Sequence, residues 1–203
     1  MNCLGRKTFR QWYTFWSRMR STWWGVSLSH GCSFYGLPEF RRHPRSVITI
    51  RENCEFNSSH TSNLIGVNRP CIISTLNEGA VVEIGPNCGF SGTVIGCANR
   101  ITLGEYVRCG ANTLITDTDW HTDDLRTSPN AAVFIEDNVW LGVNVMVMKG
   151  VTIGKGTMIA AGSIVSKSLP AGVIAAGVPA KVIKELKIDD FRDKRQATNS
   201  SKN

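Results

Sequence analysis

Between Ile135 and Pro170 the chain repeats every six residues: IEDNVW, LGVNVM, VMKGVT, IGKGTM, IAAGSI, VSKSLP. The first position is always aliphatic (Ile135, Leu141, Val147, Ile153, Ile159, Val165). The fifth is small or medium-sized (Val139, Val145, Val151, Thr157, Ser163, Leu169), and the second is often Gly or Ala (Gly142, Gly154, Ala160). An amphipathic helix needs apolar residues at a period near 3.6, and a half-buried strand alternates at about 2. A strict period of six, apolar at offsets zero and four, fits neither as one continuous element. It fits short strands broken by tight turns, one flat face per hexad, wound into a solenoid whose interior receives the offset-zero side chains.

In a solenoid, length adds coils rather than new cores, so the 203 residues, 42% of them apolar, are read as one repeat domain with extensions. The net charge of +7 has its excess near the N-terminus and toward the C-terminus, with a nearly balanced middle. That distribution argues against a nucleic-acid groove along the whole molecule. The seven cysteines are odd in number, form no CxxC and match no zinc-module spacing. Cys54, Cys88, Cys97 and Cys109 fall on inward positions of the frame, where reduced thiols act as small hydrophobes. A reducing, cytoplasmic compartment is therefore expected, with no bound metal. No run of about 18 apolar residues is present, so no membrane span is expected, and neither is a signal peptide.

Residues 4–24 are predicted to be helical, because Phe9, Trp12, Trp16, Met19 and Trp23 recur at spacings of three and four while Arg6, Lys7, Arg10 and Arg18 fall largely on the other side. Such a basic, aromatic helix suits the inner face of a membrane. Its aromatic face could equally cover the open end of the solenoid, whose strand edges must be hidden. Residues 25–46 are punctuated by Gly and Pro, and hexads begin near Ile50. Between Asn57 and Gly79 the frame is lost, which is read as coils with longer corners. It returns at Ile84, slips near Gly96, and runs to Asp119 and His121 before the polar TDDLRTSPNAA. One loop, about 120–133, is thus expected outside the solenoid, and such loops commonly carry function. The expected organisation is a helix and capping segment over 1–46, a β-solenoid over 47–186 and a polar tail over 187–203. A short helix or extended segment is expected to lead into it, with disorder from about Arg192.

Of the four histidines, only His121 stands where regular coils give way to that loop. A hydroxyl is a poor nucleophile until its proton is removed, and an imidazole can remove it near neutral pH. In TDTDWH, Asp119 alternates onto the side of His121 and could fix its tautomer, as the acid of a hydrolase triad does. A solvated acidic turn is the alternative, and Asp117 remains a rival. Trp140 occupies an outward sixth position beside Gly142. Ser91 and Asn112 lie on coils that could abut His121, where polar residues suit a polar ligand or simply turns.

The stretches ITLGEYVRCGANTLITDTDWH and IEDNVWLGVNVMVMKGVTIGKGTMIAAGSIVSKSLPAGVIAAGVPAKVI resemble the hexapeptide-repeat acyltransferases, in their sugar O-acetyltransferase branch of galactoside, maltose and exopolysaccharide enzymes. The resemblance implies an all-β, left-handed parallel β-helix with three hexads per coil. It also implies a homotrimer with active sites between subunits, acetyl-CoA as co-substrate and a sugar or glycan precursor as acceptor. It places the family's catalytic histidine at His121, and direct attack without an acyl-enzyme is expected. Trp140, with Gly142, would line the channel for the pantetheine arm, or pack at the trimer interface. Val143 and Ala161 would meet CoA through their backbones, Ser166 and Lys167 would stand near the adenosine end, and Lys181 and Lys184 would face phosphate. Val143 departs from the Ser or Ala of close relatives, which matters little if only its backbone is used. Acylation of an antibiotic, an amino acid or an amino sugar is the alternative, and a non-catalytic scaffold is a further one. A carbonic-anhydrase-like zinc site is discounted, because only His121 lies in the regular coils.

Overall fold

The computed structural model describes residues 3–121 and 123–186, without the side chains of residues 3–8. A helix, α1 (Cys3–Trp23), is followed by strands that fill coils three at a time. The first coil holds β1 (Ser27–Leu28), β2 (Ser33–Tyr35) and β3 (Glu39–Arg41), and the second β4 (Val47–Ile50), β5 (Glu55–Asn57) and β6 (Ile72–Thr75). The third holds β7 (Val81–Ile84), β8 (Gly89–Ser91) and β9 (Val94–Cys97), and the fourth β10 (Arg100–Leu103), β11 (Arg108–Cys109) and β12 (Leu114–Thr116). The fifth holds β13 (Val133–Ile135), β14 (Trp140–Leu141) and β15 (Met146–Val147), and the sixth β16 (Thr152–Ile153), β17 (Met158–Ile159) and β18 (Ile164–Val165). Two more strands, β19 (Val173–Gly177) and β20 (Ala180–Glu185), end the described chain.

Each coil contributes one strand to each of three parallel sheets, so the six-residue period does mark a β-solenoid, and its form is the left-handed parallel β-helix that the resemblance implies. All six offset-zero residues from Ile135 to Val165 are buried. Register stacks them into columns: Ile50 on Ile84, Ile84 on Leu103, Leu103 on Ile135, and Ile135 on Ile153. In the second sheet the column begins with three rings, Phe34, Phe56 and Phe90, stacked with centroids 4.9 Å apart at each step. The fourth hexad position turns the corners in the left-handed region, at Asn138 (φ 57°), Asn144 (φ 56°) and Gly150 (φ 75°). Asn and Gly tolerate that region best.

The solenoid opens at Ser27, well before the boundary expected at residue 47, because β1 to β3 already pair in parallel with β4 to β6. Their pattern escaped the sequence reading because the strands are two or three residues long and otherwise polar.

The helix does cap this end, but not with its aromatic face. Ser17 and Ser21 are buried and Tyr13 and Trp24 pack on the core, while Phe9, Trp12, Trp16, Met19 and Trp23 face outward. The reason is polar: the edge of the first coil carries unpaired backbone groups. The Phe34 N–H donates to Thr14 Oγ1 at 3.3 Å, and Arg18 donates to the Ser29 carbonyl at 3.0 Å. Aromatic rings could not satisfy those groups.

At the other end, AGVIAAGVPAKVI forms an antiparallel hairpin of β19 and β20 through a cis Val178–Pro179 bond. The tail expected over 187–203 lies outside the described residues. Among the described residues, no helix is long and apolar enough to cross a membrane.

Candidate active site: a groove on one face and a histidine on another

The second sheet carries a surface groove of about 730 Å³. Trp140, Gly142, Val143, Ala161 and Ser91, all singled out from the sequence, line it. Register explains the assembly. Arg108 pairs with Trp140 and Trp140 with Met158, so a cation, an indole and a thioether lie side by side across three coils. The floor beyond them is kept low by small residues. A Cβ on Gly142 would lie 2.6 Å from the Ala161 backbone nitrogen, and one on Gly110 would lie 2.7 Å from the Gly142 carbonyl carbon. The glycines therefore let neighbouring coils stack closely at this corner, where Val143 is half-buried and Ala161 exposed.

Arg108 and Met158 were missed, yet both are sixth-position residues like Trp140. The sequence frame would have found them had all outward positions been collected across neighbouring coils. Asn63 and Ile65 also line the groove. They arrive on the corner joining β5 to β6, in the stretch where no frame could be followed.

The lysines continue the same face. Met158 pairs with Ile174, and Ile174 with Lys184. Lys184 thus stands in the Trp140 column three strands away, about 14 Å at ordinary strand spacing. A register shift between Ile174 and Ala175 lets Lys181, opposite Ala176, share that outward face. Ser166 and Lys167 are exposed just past β18, which belongs to the third sheet.

His121 is not part of this groove. It follows β12 on the third sheet, at the start of the loop spanning 117–132, close to the expected 120–133. The loop folds back on the His121 carbonyl, which accepts from the Asp124 N–H at 3.1 Å and from Thr127 Oγ1 at 3.3 Å. Its imidazole is exposed and, among the described residues, has no hydrogen-bond partner. Trp120 precedes it in the left-handed region (φ 68°), its ring lying on Gly96, where a Cβ would come within 2.5 Å of the indole. The slip of the frame at Gly96 therefore makes room for the tryptophan beside the histidine.

Neither aspartate binds the imidazole in this structure. Asp117 is fully buried and accepts the backbone N–H groups of Ala98 at 2.6 Å and Asn99 at 2.8 Å. It also accepts the Cys97 thiol at 3.3 Å; burial, with the aspartate's charge, pushes that thiol up to about 12. The Asp119 carboxylate forms an ion pair with Lys149, whose ammonium also donates to the Ser128 carbonyl at 2.7 Å. The alternation that put Asp119 beside His121 assumes a continuing strand, and the left-handed Trp120 interrupts it. Asn112 likewise serves the fold. Its amide accepts from the Asn68 N–H at 3.1 Å and donates to the Gly66 carbonyl at 2.8 Å, latching the β5–β6 corner. Ser91 accepts from Asn63 at 3.2 Å within the groove wall.

Residues 132–167 match the bacterial transferase hexapeptide model of six repeats. The galactoside O-acetyltransferase of Escherichia coli is 34% identical over 173 residues, covering 74% of this chain and 81% of that enzyme. The chain belongs to the hexapeptide-repeat acyltransferase family. As an acyltransferase of this family it is also similar to the putative lipopolysaccharide biosynthesis O-acetyl transferase WbbJ of the same organism, 30% identical over 74% of this chain and 90% of the relative. Its match to the galactoside O-acetyltransferase of Lactococcus lactis is 43% identical, spanning 45% of this chain and 46% of that enzyme. Among solved structures, the N-acyltransferase AntD of Bacillus cereus superposes with a TM-score of 0.67 at 18% identity, over 90% of this chain and 96% of that one. That likeness shows the shared acyltransferase fold.

Proposed function

We propose that this acyltransferase moves the acetyl group of acetyl-CoA to a hydroxyl of a sugar or polysaccharide precursor, with His121 as general base. The observation that carries the reading is the exposed imidazole, without a hydrogen-bond partner among the described residues, where the coils open into the 117–132 loop. Similarity to two sugar O-acetyltransferases over most of their length supports the hydroxyl acceptor.

In the proposed reaction an imidazole nitrogen of His121 takes the acceptor hydroxyl proton. The oxygen attacks the thioester carbonyl carbon, the C–S bond breaks, and the departing CoA thiolate takes the proton from the imidazolium. The acceptor gains an acetyl ester and CoA leaves as the free thiol. No protein nucleophile is needed. Two thiols border the groove, Cys88 and Cys109, and both are buried; burial raises the pKa of Cys109 so that it stays protonated.

The groove fits a long anionic ligand: backbone amides at Val143 and Ala161 for the pantetheine, the Trp140 indole against its apolar arm, and Lys181 and Lys184 toward the phosphates. Ser166 and Lys167 are assigned to the adenosine end. Groove and histidine occupy different faces of one solenoid, so a neighbouring subunit's histidine would complete each groove. A homotrimer with three composite sites meets that need. Asp119 then acts on the base through Lys149 and the loop rather than by touching the imidazole. Ser91 remains the acceptor-side candidate in the groove wall, with Asn112 holding the corner behind it.

Release of free CoA from acetyl-CoA, measured with a panel of sugars and glycan precursors, tests the reading. The His121→Ala variant is expected to keep its assembly and lose about 10²- to 10⁴-fold in rate. Transfer at the parental rate by an assembled variant excludes His121 as the base. Release supported by an amino sugar but by no hydroxyl acceptor overturns the acceptor class.

A further inference from the structure

We propose that the outward face of α1 seats the enzyme on an anionic phospholipid bilayer. The helix attaches to the solenoid by Tyr13, Ser17 and Ser21, leaving the opposite stripe uncovered. On that stripe Trp12 is 52% exposed, Trp16 44%, Phe15 58%, Met19 54% and Trp23 86%. Phe9 continues it, and the stripe runs about 21 Å at 1.5 Å per residue. A large aromatic side chain presents roughly 150–250 Å² when fully uncovered, so this row at about half exposure offers on the order of 500 Å² of apolar surface. That is at the upper end of what soluble monomers leave uncovered.

Charge selects the occupant. Five basic residues and no acidic one precede Glu39; Arg20 is ion-paired with Glu39 at 2.7 Å, which leaves Arg10 and Arg18 as the cations at the stripe among the described side chains. Beside the stripe, Arg10 and Arg18 line a shallow groove of about 540 Å³ together with Phe15. A cationic niche bordering exposed indoles complements an anionic headgroup layer above acyl chains, where tryptophan partitions at the interface. A second copy of the same helix would bring like charges together, which disfavours self-pairing. The stripe is rich in rings and lacks the leucine seam of a helical interface. Since no helix among the described residues can span a bilayer, the contact is peripheral.

The stripe shares no residue with the groove at Trp140, although that groove begins on β5, next to the strand β2 on which the helix packs. The inference therefore does not depend on the proposed acceptor, and its readout is independent of activity. The full chain is mixed with vesicles of phosphatidylcholine alone, or of phosphatidylcholine with phosphatidylglycerol. Binding is followed by co-sedimentation and by the blue shift of tryptophan emission. Binding is expected only to the anionic vesicles, weakening as salt is raised. The Trp12→Ser/Trp16→Ser/Trp23→Ser variant is expected to lose at least about tenfold in partitioning while keeping the parental thermal midpoint. Three results overturn the proposal: no binding of the parent to anionic vesicles, equal binding by the triple variant, or a stripe-dependent self-association in ultracentrifugation that marks a second copy as the occupant.

Discussion

Lys149 binds the Asp119 carboxylate at the start of the 117–132 loop and, through the same ammonium, the Ser128 carbonyl near its end. The pair closes the loop on itself just beside His121. Partly exposed pairs of this kind contribute about 1 kcal/mol or less to stability, so its main effect should be on the position of the histidine. If Asp119 acts through Lys149 alone, Asp119→Ala, Lys149→Ala and the double variant should all lose similar activity. A double-mutant cycle on kcat/KM checks this. A loss from Asp119→Ala well beyond that from Lys149→Ala would mean that the carboxylate acts on the imidazole directly.

Asp117 is expected to be structural. It holds two backbone N–H groups and a thiol of the neighbouring coil inside the protein. Asp117→Ala leaves those donors buried without a partner, which costs about 3 kcal/mol. For a chain of this size that corresponds to roughly 6–12 °C in Tm. Calorimetry should show the loss, and activity at low temperature should fall less than it does in His121→Ala.

Gly142→Ala tests the floor of the groove. The new Cβ would meet the Ala161 nitrogen at 2.6 Å, and the atoms around it, Ala161 Cα and the Ile159 carbonyl oxygen, are backbone that cannot swing aside. The coils must part locally, at about 1–3 kcal/mol. CoA binding measured by calorimetry should weaken more than this change in stability alone suggests, because parting the coils shifts the Val143 and Ala161 backbone proposed to meet the pantetheine.

Lys181 and Lys184 share an outward face in line with Trp140. Their joint replacement by Ala should raise KM for acetyl-CoA about tenfold with kcat nearly unchanged, the signature of lost uniform binding. Dephospho-CoA thioesters, which lack one phosphate, should discriminate less between parent and variant.

Stability should fall in alkali. Burial, with Asp117 beside it, pushes the Cys97 thiol up to about 12 from 9.0, and Cys71 and Cys109 are raised by burial as well. A folded-state pKa above the unfolded one means that the stabilisation is complete below pH 9 and is lost as pH rises toward the folded value. Each such thiol contributes a slope of about 1.4 kcal/mol per pH unit in that window. Denaturant midpoints measured between neutral pH and pH 11 should show the decline, and Cys97→Ser should flatten it.

What could be read from sequence was whatever obeyed the period. Ile135 to Val165 face the core as expected, and Trp140, Gly142, Val143 and Ala161 meet in one groove because a fixed six-residue step gives them fixed heights. The fourth position, Asn138, Asn144, Gly150, was equally informative about the corners but drew no attention, since its signal is a backbone angle rather than hydrophobicity. Contacts made across the frame were out of reach. Nothing in TDTDWH tells that Trp120 bends the chain, so that Asp119 turns to Lys149, or that Asn112 fastens a corner forty residues upstream. Of the two places open to the aromatic face of α1, the solenoid end is excluded by something hydrophobicity does not signal: an unpaired strand edge calls for Thr14 and Arg18.

The β19–β20 hairpin has a consequence for the protein's lifetime in a crowded solution. A parallel ladder is directional, and an uncovered terminal rung could template another chain end to end and grow into a fibre. Here the second sheet finishes on a strand running backwards, studded with Lys181, Lys184 and Glu185, while α1 blocks the opposite terminus. With α1 over one end and β20 closing the second sheet at the other, the number of coils between them becomes a quantity that can change by whole turns. A longer or shorter descendant would keep the same cross-section and the same stoppers, and would alter only the reach of its groove.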